Sequence, residues 1–222
     1  MDTVSTKETL YYQIASSAFC VIVILSNIIS AKMMPLPYFA TCCIPAGLLT
    51  YPLTFLLSAF VTEIFGAKKA REMVYVTLGM NVLTLLILQL ALSLPGRSPS
   101  EEQIFRGVLG LSGLRIVSSL VAYVVAQLVD IQIYAWLKGI TKFRFLWVRS
   151  NGSTWISQLI DTILIDLIFL YGGMGMSLQQ VWPIMLFSFA YKAFFSVAST
   201  PFFYFVVFLV RKRLKHHPKE FL

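Results

Sequence analysis

Six long apolar stretches dominate this sequence, and they decide what kind of fold it can adopt. An α-helix needs roughly 20 residues, at 1.5 Å per residue, to cross about 30 Å of hydrocarbon. Only 13% of the 222 residues are charged, and most of these lie between the stretches. A soluble domain usually has about 25% charged residues, so the lipid bilayer is the expected solvent. The predicted spans cover approximately residues 10–32, 44–64, 70–94, 106–136, 153–173 and 181–210.

The predicted fold is therefore all-α: a polytopic membrane protein of six transmembrane helices. A chain of this size leaves no room for a second globular domain, so residues 1–222 are interpreted as one integral membrane domain. Four prolines fall within the second and last spans, where neighbouring helices can satisfy the carbonyls that proline frees. Such prolines often mark kinks beside a cavity; here they are Pro45, Pro52, Pro183 and Pro201.

The distribution of basic residues predicts the orientation of the spans. Thirteen Lys and Arg residues lie at the two ends of the chain and in the 2–3 and 4–5 connections, against three on the opposite side. Basic residues accumulate on the cytoplasmic side of membrane proteins, so both termini are predicted to be cytoplasmic. The three on the opposite side are Lys32, Arg97 and Arg106.

Several function classes are disfavoured by the sequence. The net charge of +8 comes from basic clusters directly beside apolar stretches, which is ordinary for membrane spans and requires no nucleic acid. No GxxxxGK[ST] phosphate loop occurs, so ATP hydrolysis by that route is excluded. The three cysteines and two histidines form no metal-ligand pattern. We therefore predict no metal and no cofactor.

Polar residues inside the spans recur at helical spacing. An ionisable side chain costs roughly 2.5–3.5 kcal/mol at the bilayer centre on insertion scales, so it usually faces a protein interior or a water-filled cavity. Five predicted helices each carry one polar face, which together predict an internal polar cavity. The residues are Ser26, Asn27 and Ser30; Thr77, Asn81 and Thr84; Arg115, Ser119, Tyr123, Gln127 and Asp130; Thr154, Gln158 and Asp161; and Lys192, Ser196 and Ser199.

The ionisable residues leave structural and functional interpretations open. Glu63 and Asp130 lie near the predicted cytoplasmic ends of their helices, where water could solvate them or Lys138 or Lys68 could pair with them. Asp161 and Lys192 lie deepest, and they either form a structural salt bridge, contact a solute, or do both.

Asp166, five residues after Asp161, points to a different helix face, where it can serve a helix contact. An intramembrane enzyme is the weaker alternative to a transporter, because no HExxH or GxSxG motif and no His within a span are present. An aspartate dyad of Asp161 with Asp130 is disfavoured, since the predicted depths of the two residues differ.

Several segments resemble the queuosine precursor transporter family, also called the vitamin uptake transporter family. They extend from the second to the sixth predicted span in the family's order. One departure is Ala59, a position that is commonly Asp in the family. The segments are 44–56, Thr62-Glu63-Ile64-Phe65-Gly66 with the basic run that follows it, 115–130, Leu146-Trp147-Val148-Arg149, 153–162 and Tyr191-Lys192.

The resemblance implies import of 7-deazaguanines, such as 7-cyano- or 7-aminomethyl-7-deazaguanine or queuine, for tRNA modification. A guanine-like edge offers N–H donors to a carboxylate and a carbonyl to an amide. On this basis one carboxylate is expected to accept hydrogen bonds from the N–H groups of the base, and two amides are expected to hydrogen-bond its ring. One of two tyrosines should stack on the base, and two cations should position these groups. The Glu of the Thr-Glu-x-x-Gly motif is also expected to bind the substrate. The residues are Asp161; Gln158 and Gln127; Tyr123 or Tyr191; Lys192 and Arg115; and Glu63.

Two mechanisms are compatible with the sequence. The chain is either a self-sufficient carrier or the substrate-capture subunit of an ATP-driven vitamin-type transporter for another small polar solute. The second alternative is kept because the six-helix layout also resembles vitamin-binding components of energy-coupling factor transporters. The expected location is the bacterial inner membrane. The expected partners are the lipid bilayer and a 7-deazaguanine, with either a homo-oligomer or a separate ATPase module as the protein partner.

Overall fold

The computed structural model describes residues 2–30, 32–36, 39–109, 113–141, 145–173 and 175–214. Six α-helices account for most of them: α1 (Asp2–Ile29), α2 (Tyr51–Ser93), α3 (Pro99–Leu109), α4 (Gly113–Ile140), α5 (Leu146–Ile165) and α6 (Leu178–Leu214). A π-helical segment, Asp166–Gly173, continues α5. The predicted helical membrane fold is confirmed.

A short β-hairpin follows α1 and adds to the helical architecture. Its strands, β1 (Met33–Leu36) and β2 (Phe39–Pro45), pair antiparallel and lead into a 3₁₀ turn, Ala46–Leu49. The second predicted span, 44–64, is therefore α-helical only from residue 51, with Pro52 in the first turn of the helix, where proline costs no hydrogen bond.

Five of the described helices are long and apolar enough to cross a membrane, and the longest candidate, Pro52–Ser93, has 42 residues. At 1.5 Å per residue an unbroken helix of that length would reach roughly twice the hydrocarbon thickness. Its backbone is not helical throughout, because Gly66 has φ 85° and ψ 163°. Only glycine adopts this conformation readily. Gly66 divides α2 into a first half (51–65) and a second half (67–93).

The short helix α3 explains why the predicted fourth span began too early. Arg106 belongs to α3, where it pairs with Glu102 and donates a hydrogen bond to the carbonyl oxygen of Leu92 at the end of α2. The spanning helix α4 begins only at Gly113. The predicted span 106–136 thus merged part of α3 with α4.

The interior of the bundle combines an apolar core with many buried polar side chains, and α5 has the most strictly polar inner face. Every buried side chain of α5 is polar or charged: Arg149, Asn151, Ser153, Thr154, Ser157, Gln158, Asp161 and Thr162. The opposite face exposes Trp147, Trp155, Ile156 and Leu159. This arrangement is expected where lipid surrounds the protein, since apolar side chains there have no reason to be buried. The internal polar lining predicted from the sequence is present.

Hydrogen bonds between side chains hold the polar helix faces together. On one side, Asn27 of α1 donates to Asn81 of α2 at 2.7 Å and accepts from Ser119 of α4 at 3.2 Å. On the other, Asn151 of α5 donates to Thr200 of α6 and accepts from Ser196 of α6, both at 2.9 Å. The amides thereby fix how the helices meet.

Candidate functional site

A small polar cavity lies between α1, the first half of α2, α4 and α5. Its polar lining comes from all four helices, and its volume is about 20 Å³, room for about one water molecule. Ligand pockets usually measure roughly 300–1,000 Å³. The helices must therefore separate before a solute can enter. The lining residues include Ser26, Asn27, Thr54, Ser119, Tyr123, Gln127 and Asp161.

A second polar cavity of about 10 Å³ lies between the first half of α2, α5 and α6. Its polar lining consists of Ser150, Thr154, Gln158, Ser196, Ser199 and Thr200. Phe55 lines both cavities and is itself buried. One aromatic ring on the first half of α2 thus stands between two polar spaces.

Two glutamines leave hydrogen-bonding groups unused in this interior. Neither Oε1 nor Nε2 of Gln158 has a hydrogen-bond partner among the described residues, and Oε1 of Gln127 lacks one as well. Asn151, two turns before Gln158 on the same helix, has partners at both ends of its amide. A buried amide without partners costs free energy that a bound polar ligand can recover. The Gln158 amide therefore has unused hydrogen-bonding capacity within the described interior.

Asp161, which lines the first cavity, forms an ion pair with Lys192. Lys192 Nζ of α6 donates to Asp161 Oδ2 at 2.7 Å and to Thr162 Oγ1 at 3.0 Å, and the two charged side chains are 4% and 0% exposed. The sequence left open whether Asp161 pairs with Lys192, contacts a solute, or does both. In the structure Asp161 pairs with Lys192 and also faces the cavity.

Glu63 is the centre of a second ionic cluster, in which Glu63 and Arg149 are buried and Lys138 is partly buried. Its carboxylate pairs with Arg149 of α5 at 2.8 Å, lies 3.6 Å from Lys138 of α4 and accepts a hydrogen bond from Tyr134 of α4 at 2.9 Å. Lys138 also donates to the Glu63 carbonyl oxygen at 2.8 Å. This cluster joins α2, α4 and α5 three residues before the break at Gly66.

Three other predicted site residues, Tyr123, Tyr191 and Arg115, differ in their relation to the cavities. Tyr123 lines the first cavity and packs on Phe19. Tyr191 contacts Phe187 and Phe195 on its own helix and is absent from the described linings of both cavities. Arg115 lies in α4, but its side chain is outside the described part of the structure.

Glu63 belongs to the ionic cluster and is not among the described residues that line the two cavities. Solvation of this carboxylate, one of the alternatives left open by the sequence, is wrong, because Glu63 is only 2% exposed. The alternative of pairing with Lys138 is confirmed, and Arg149 adds a closer partner.

Sequence reasoning missed the burial of two charged residues, although it had placed Asp130 on the polar face of α4. Arg149 was counted among the loop cations, yet it is 1% exposed. Asp130 was expected near a solvated helix end, yet it is fully buried and accepts a hydrogen bond from Ser157, one turn before Asp161 on α5. One sequence signal could have indicated that Arg149 belongs to the interior: the segment Leu146-Trp147-Val148-Arg149, which carries part of the family resemblance, leads directly into the polar face of α5.

Comparison with known proteins is consistent with this transporter-like interior. Residues 45–206 match the family profile described as "Putative vitamin uptake transporter". A "Probable queuosine precursor transporter" of Bacillus subtilis is 26% identical over 161 residues, which cover 71% of this chain and 69% of that protein. A protein of the same description from Haemophilus influenzae is 24% identical over 158 residues, covering 68% of this chain and 63% of that protein. No solved structure matches.

The matched region begins at the end of β2 and includes both buried ion pairs and the second cavity. It includes the lining of the first cavity except for Val23, Ser26 and Asn27 of α1. A match over most of the chain, together with several apolar helices around a polar interior, identifies a multi-pass membrane transporter. The chain belongs to the vitamin uptake transporter family.

Proposed function

We propose that this chain imports a 7-deazaguanine base used as a precursor of queuosine. The observation that carries the proposal is the unsatisfied amide of Gln158, with Gln127 and the Asp161 carboxylate also in the polar interior. A guanine-like base presents a ring N–H beside a carbonyl, which matches the acceptor and donor of one carboxamide. Its exocyclic amino group can donate to a carboxylate. The names of the two relatives support the same substrate class.

The proposed membrane arrangement has six spans, with the two halves of α2 crossing separately. The break at Gly66 and the length of α2 support this division. The excess of basic residues in the connections supports an inner-membrane protein with both termini in the cytoplasm. Fusions of a cytoplasmic-only fluorescent reporter and a periplasm-only phosphatase to the C-terminus test the orientation. Fluorescence with an inactive phosphatase is the expected result, and the opposite pattern overturns it.

Uptake in cells that lack their own salvage route tests the transport proposal. Cells expressing this chain alone are given labelled 7-cyano-7-deazaguanine, 7-aminomethyl-7-deazaguanine or queuine, and accumulation of at least one is expected. Gln158→Met should abolish that uptake, because a thioether cannot replace the amide pair. Gln132→Met is the matched control, since Gln132 is exposed on α4. Equal loss in both variants would exclude the assigned role of Gln158.

The same assay separates the self-sufficient carrier from a capture subunit. Uptake by this chain in cells without a cognate ATPase supports the carrier. If the inserted protein binds a panel member in detergent but does not transport it alone, the capture-subunit alternative is favoured. If it neither binds nor transports any member, the proposed substrate class is wrong.

A further inference from the structure

Asp130 and Asp166 are the buried carboxylates for which no described Lys or Arg forms an ion pair, and Asp130 is the more deeply buried of the two. Glu63 is paired with Arg149, and Asp161 is paired with Lys192. Asp130 is 0% exposed, yet no Lys or Arg forms an ion pair with it in the described part of the chain. A bare negative charge at this depth would be costly, since the bilayer core provides no solvation.

Uncharged hydroxyl groups surround Asp130 instead. Ser157 of α5 donates to its Oδ1 at 3.2 Å, and the hydroxyls of Ser153 and Thr154 of α5 and Ser58 of α2 also lie beside the carboxyl group. Two buried oxygens in this cluster, Asp130 Oδ2 and Ser58 Oγ on facing helices, have no hydrogen-bond partner among the described residues. The unmet bonding capacity lies inside the cluster.

The donor set matches a small monovalent cation. One carboxylate and several hydroxyl oxygens are hard ligands of the kind that bind alkali and alkaline-earth ions, and a single carboxylate balances a single positive charge. A proton on Asp130 would meet the same need. Of the buried charged residues on the segments packed against α4, Glu63, Arg149 and Asp161 are engaged in the two ion pairs, whereas Asp166 forms none with a described Lys or Arg.

We propose that Asp130, with the hydroxyls of Ser58, Ser153, Thr154 and Ser157, binds a monovalent cation, a proton or Na⁺, whose movement drives solute uptake. The proposal rests on the proposed transport function. Asp130 lies one turn after Gln127 on α4, and Ser157 is adjacent to Gln158 on α5. The cation cluster and the unsatisfied amides therefore share two helices. Neutralising Asp130 changes how α4 packs on α5 and α2, and this links cation binding to the solute cavity.

Transport by the purified protein in liposomes tests the coupling. Labelled 7-cyano-7-deazaguanine is offered under an imposed proton gradient without Na⁺, under a Na⁺ gradient without a pH difference, and with no gradient. Wild type should accumulate the base above the external concentration under one of the two gradients, which identifies the cation. Asp130→Asn, which resembles the neutralised site, should lose accumulation and retain exchange of internal for external base. Glu72→Gln removes an exposed carboxylate and should accumulate as wild type does.

The possible results have distinct meanings. Accumulation by Asp130→Asn at the wild-type level overturns the proposal, because the aspartate would then be only a hydrogen-bonding group. Exchange by wild type without accumulation under either gradient also overturns it. Absence of both exchange and accumulation in wild type points to failure of the proposed transport function. The cation site is then tested by a measurement that needs no solute.

Infrared difference spectroscopy of the purified protein is that measurement. Changing the pH, or adding Na⁺ at constant pH, should alter a carboxyl band in wild type and in Glu72→Gln. The band should be absent in Asp130→Asn. If wild type and Asp130→Asn give the same difference spectra, no cation exchanges at Asp130 and the proposal is wrong.

Discussion

Glu63 of α2 and Arg149 of α5, 86 residues apart in the sequence, form a buried ion pair at 2.8 Å. Lys138 and Tyr134 of α4 complete the cluster, so three helices are tied together at one carboxylate. The other ion pair, Asp161–Lys192, lies twelve residues further along α5, about 18 Å at 1.5 Å per residue. Buried ion pairs thus connect the helices of the bundle at two levels along α5. The residues of α5 that line the two polar cavities lie between these levels or at one of them.

Replacing Arg149 should strongly destabilise the protein. Arg149→Met leaves Glu63 with Lys138 at 3.6 Å as its cation, and removing one partner of a buried pair typically costs about 3–5 kcal/mol. The melting temperature in detergent should fall clearly. Lys69→Met is the matched control, because the Lys69–Glu72 pair is exposed and should contribute little. Equal melting temperatures for the two variants would contradict the importance of the buried pair.

The Asp161–Lys192 pair should separate stability from transport. Lys192→Met and Asp161→Asn each leave one buried polar group without its partner, so each should lower the melting temperature. The double variant should recover part of the loss, because no uncompensated charge remains. Asp161→Asn should abolish uptake, and the double variant should not regain it, since Asp161 also lines the cavity. Additive losses of stability would mean that the two side chains do not interact, and restored uptake would exclude a solute contact at Asp161.

The break in α2 should depend on glycine at position 66. Gly66→Ala forces a side chain into φ 85°, ψ 163°, at a cost of order 1–3 kcal/mol. A Cβ there would meet no atom within 4 Å, so the strain is in the backbone alone. Gly79→Ala also has open space but lies within the helix, where alanine is preferred. We expect the melting temperature to fall in Gly66→Ala and not to fall in Gly79→Ala. Matching values would show that the break tolerates alanine.

Phe55 should control passage between the two cavities. Phe55→Ala removes the ring that lines both of them, so exchange of the base across liposomes should become faster and bulkier purines should be admitted. Truncating a buried Phe also costs about 3–5 kcal/mol. Phe60→Ala provides the control, because Phe60 is buried on the same half-helix but is not among the described cavity-lining residues. Identical selectivity in the two variants would argue against a gate at Phe55.

The sequence predicted the helical polar faces well because they depend on local periodicity. Spacings of three and four place Tyr123, Gln127 and Asp130 on one face of α4 whatever the helix packs against. The cost of burying polar groups in lipid then directs such a face inward. The same local rules gave poor boundaries near 44 and 106, because hydropathy does not separate a strand or a short helix from the span beside it.

The partners of each polar residue were decided only by tertiary structure. Charge counting assigned Arg149 to a loop, while packing of α5 against α2 brings it to Glu63. Asp130 and Asp161 carry the same side chain on adjacent helices, yet only Asp161 meets a lysine among the described residues. Periodicity fixes which face a residue occupies, whereas the charge opposite it depends on which helices pack together and at what height. That choice is global, so the single sequence determined the polar interior but not its pairing.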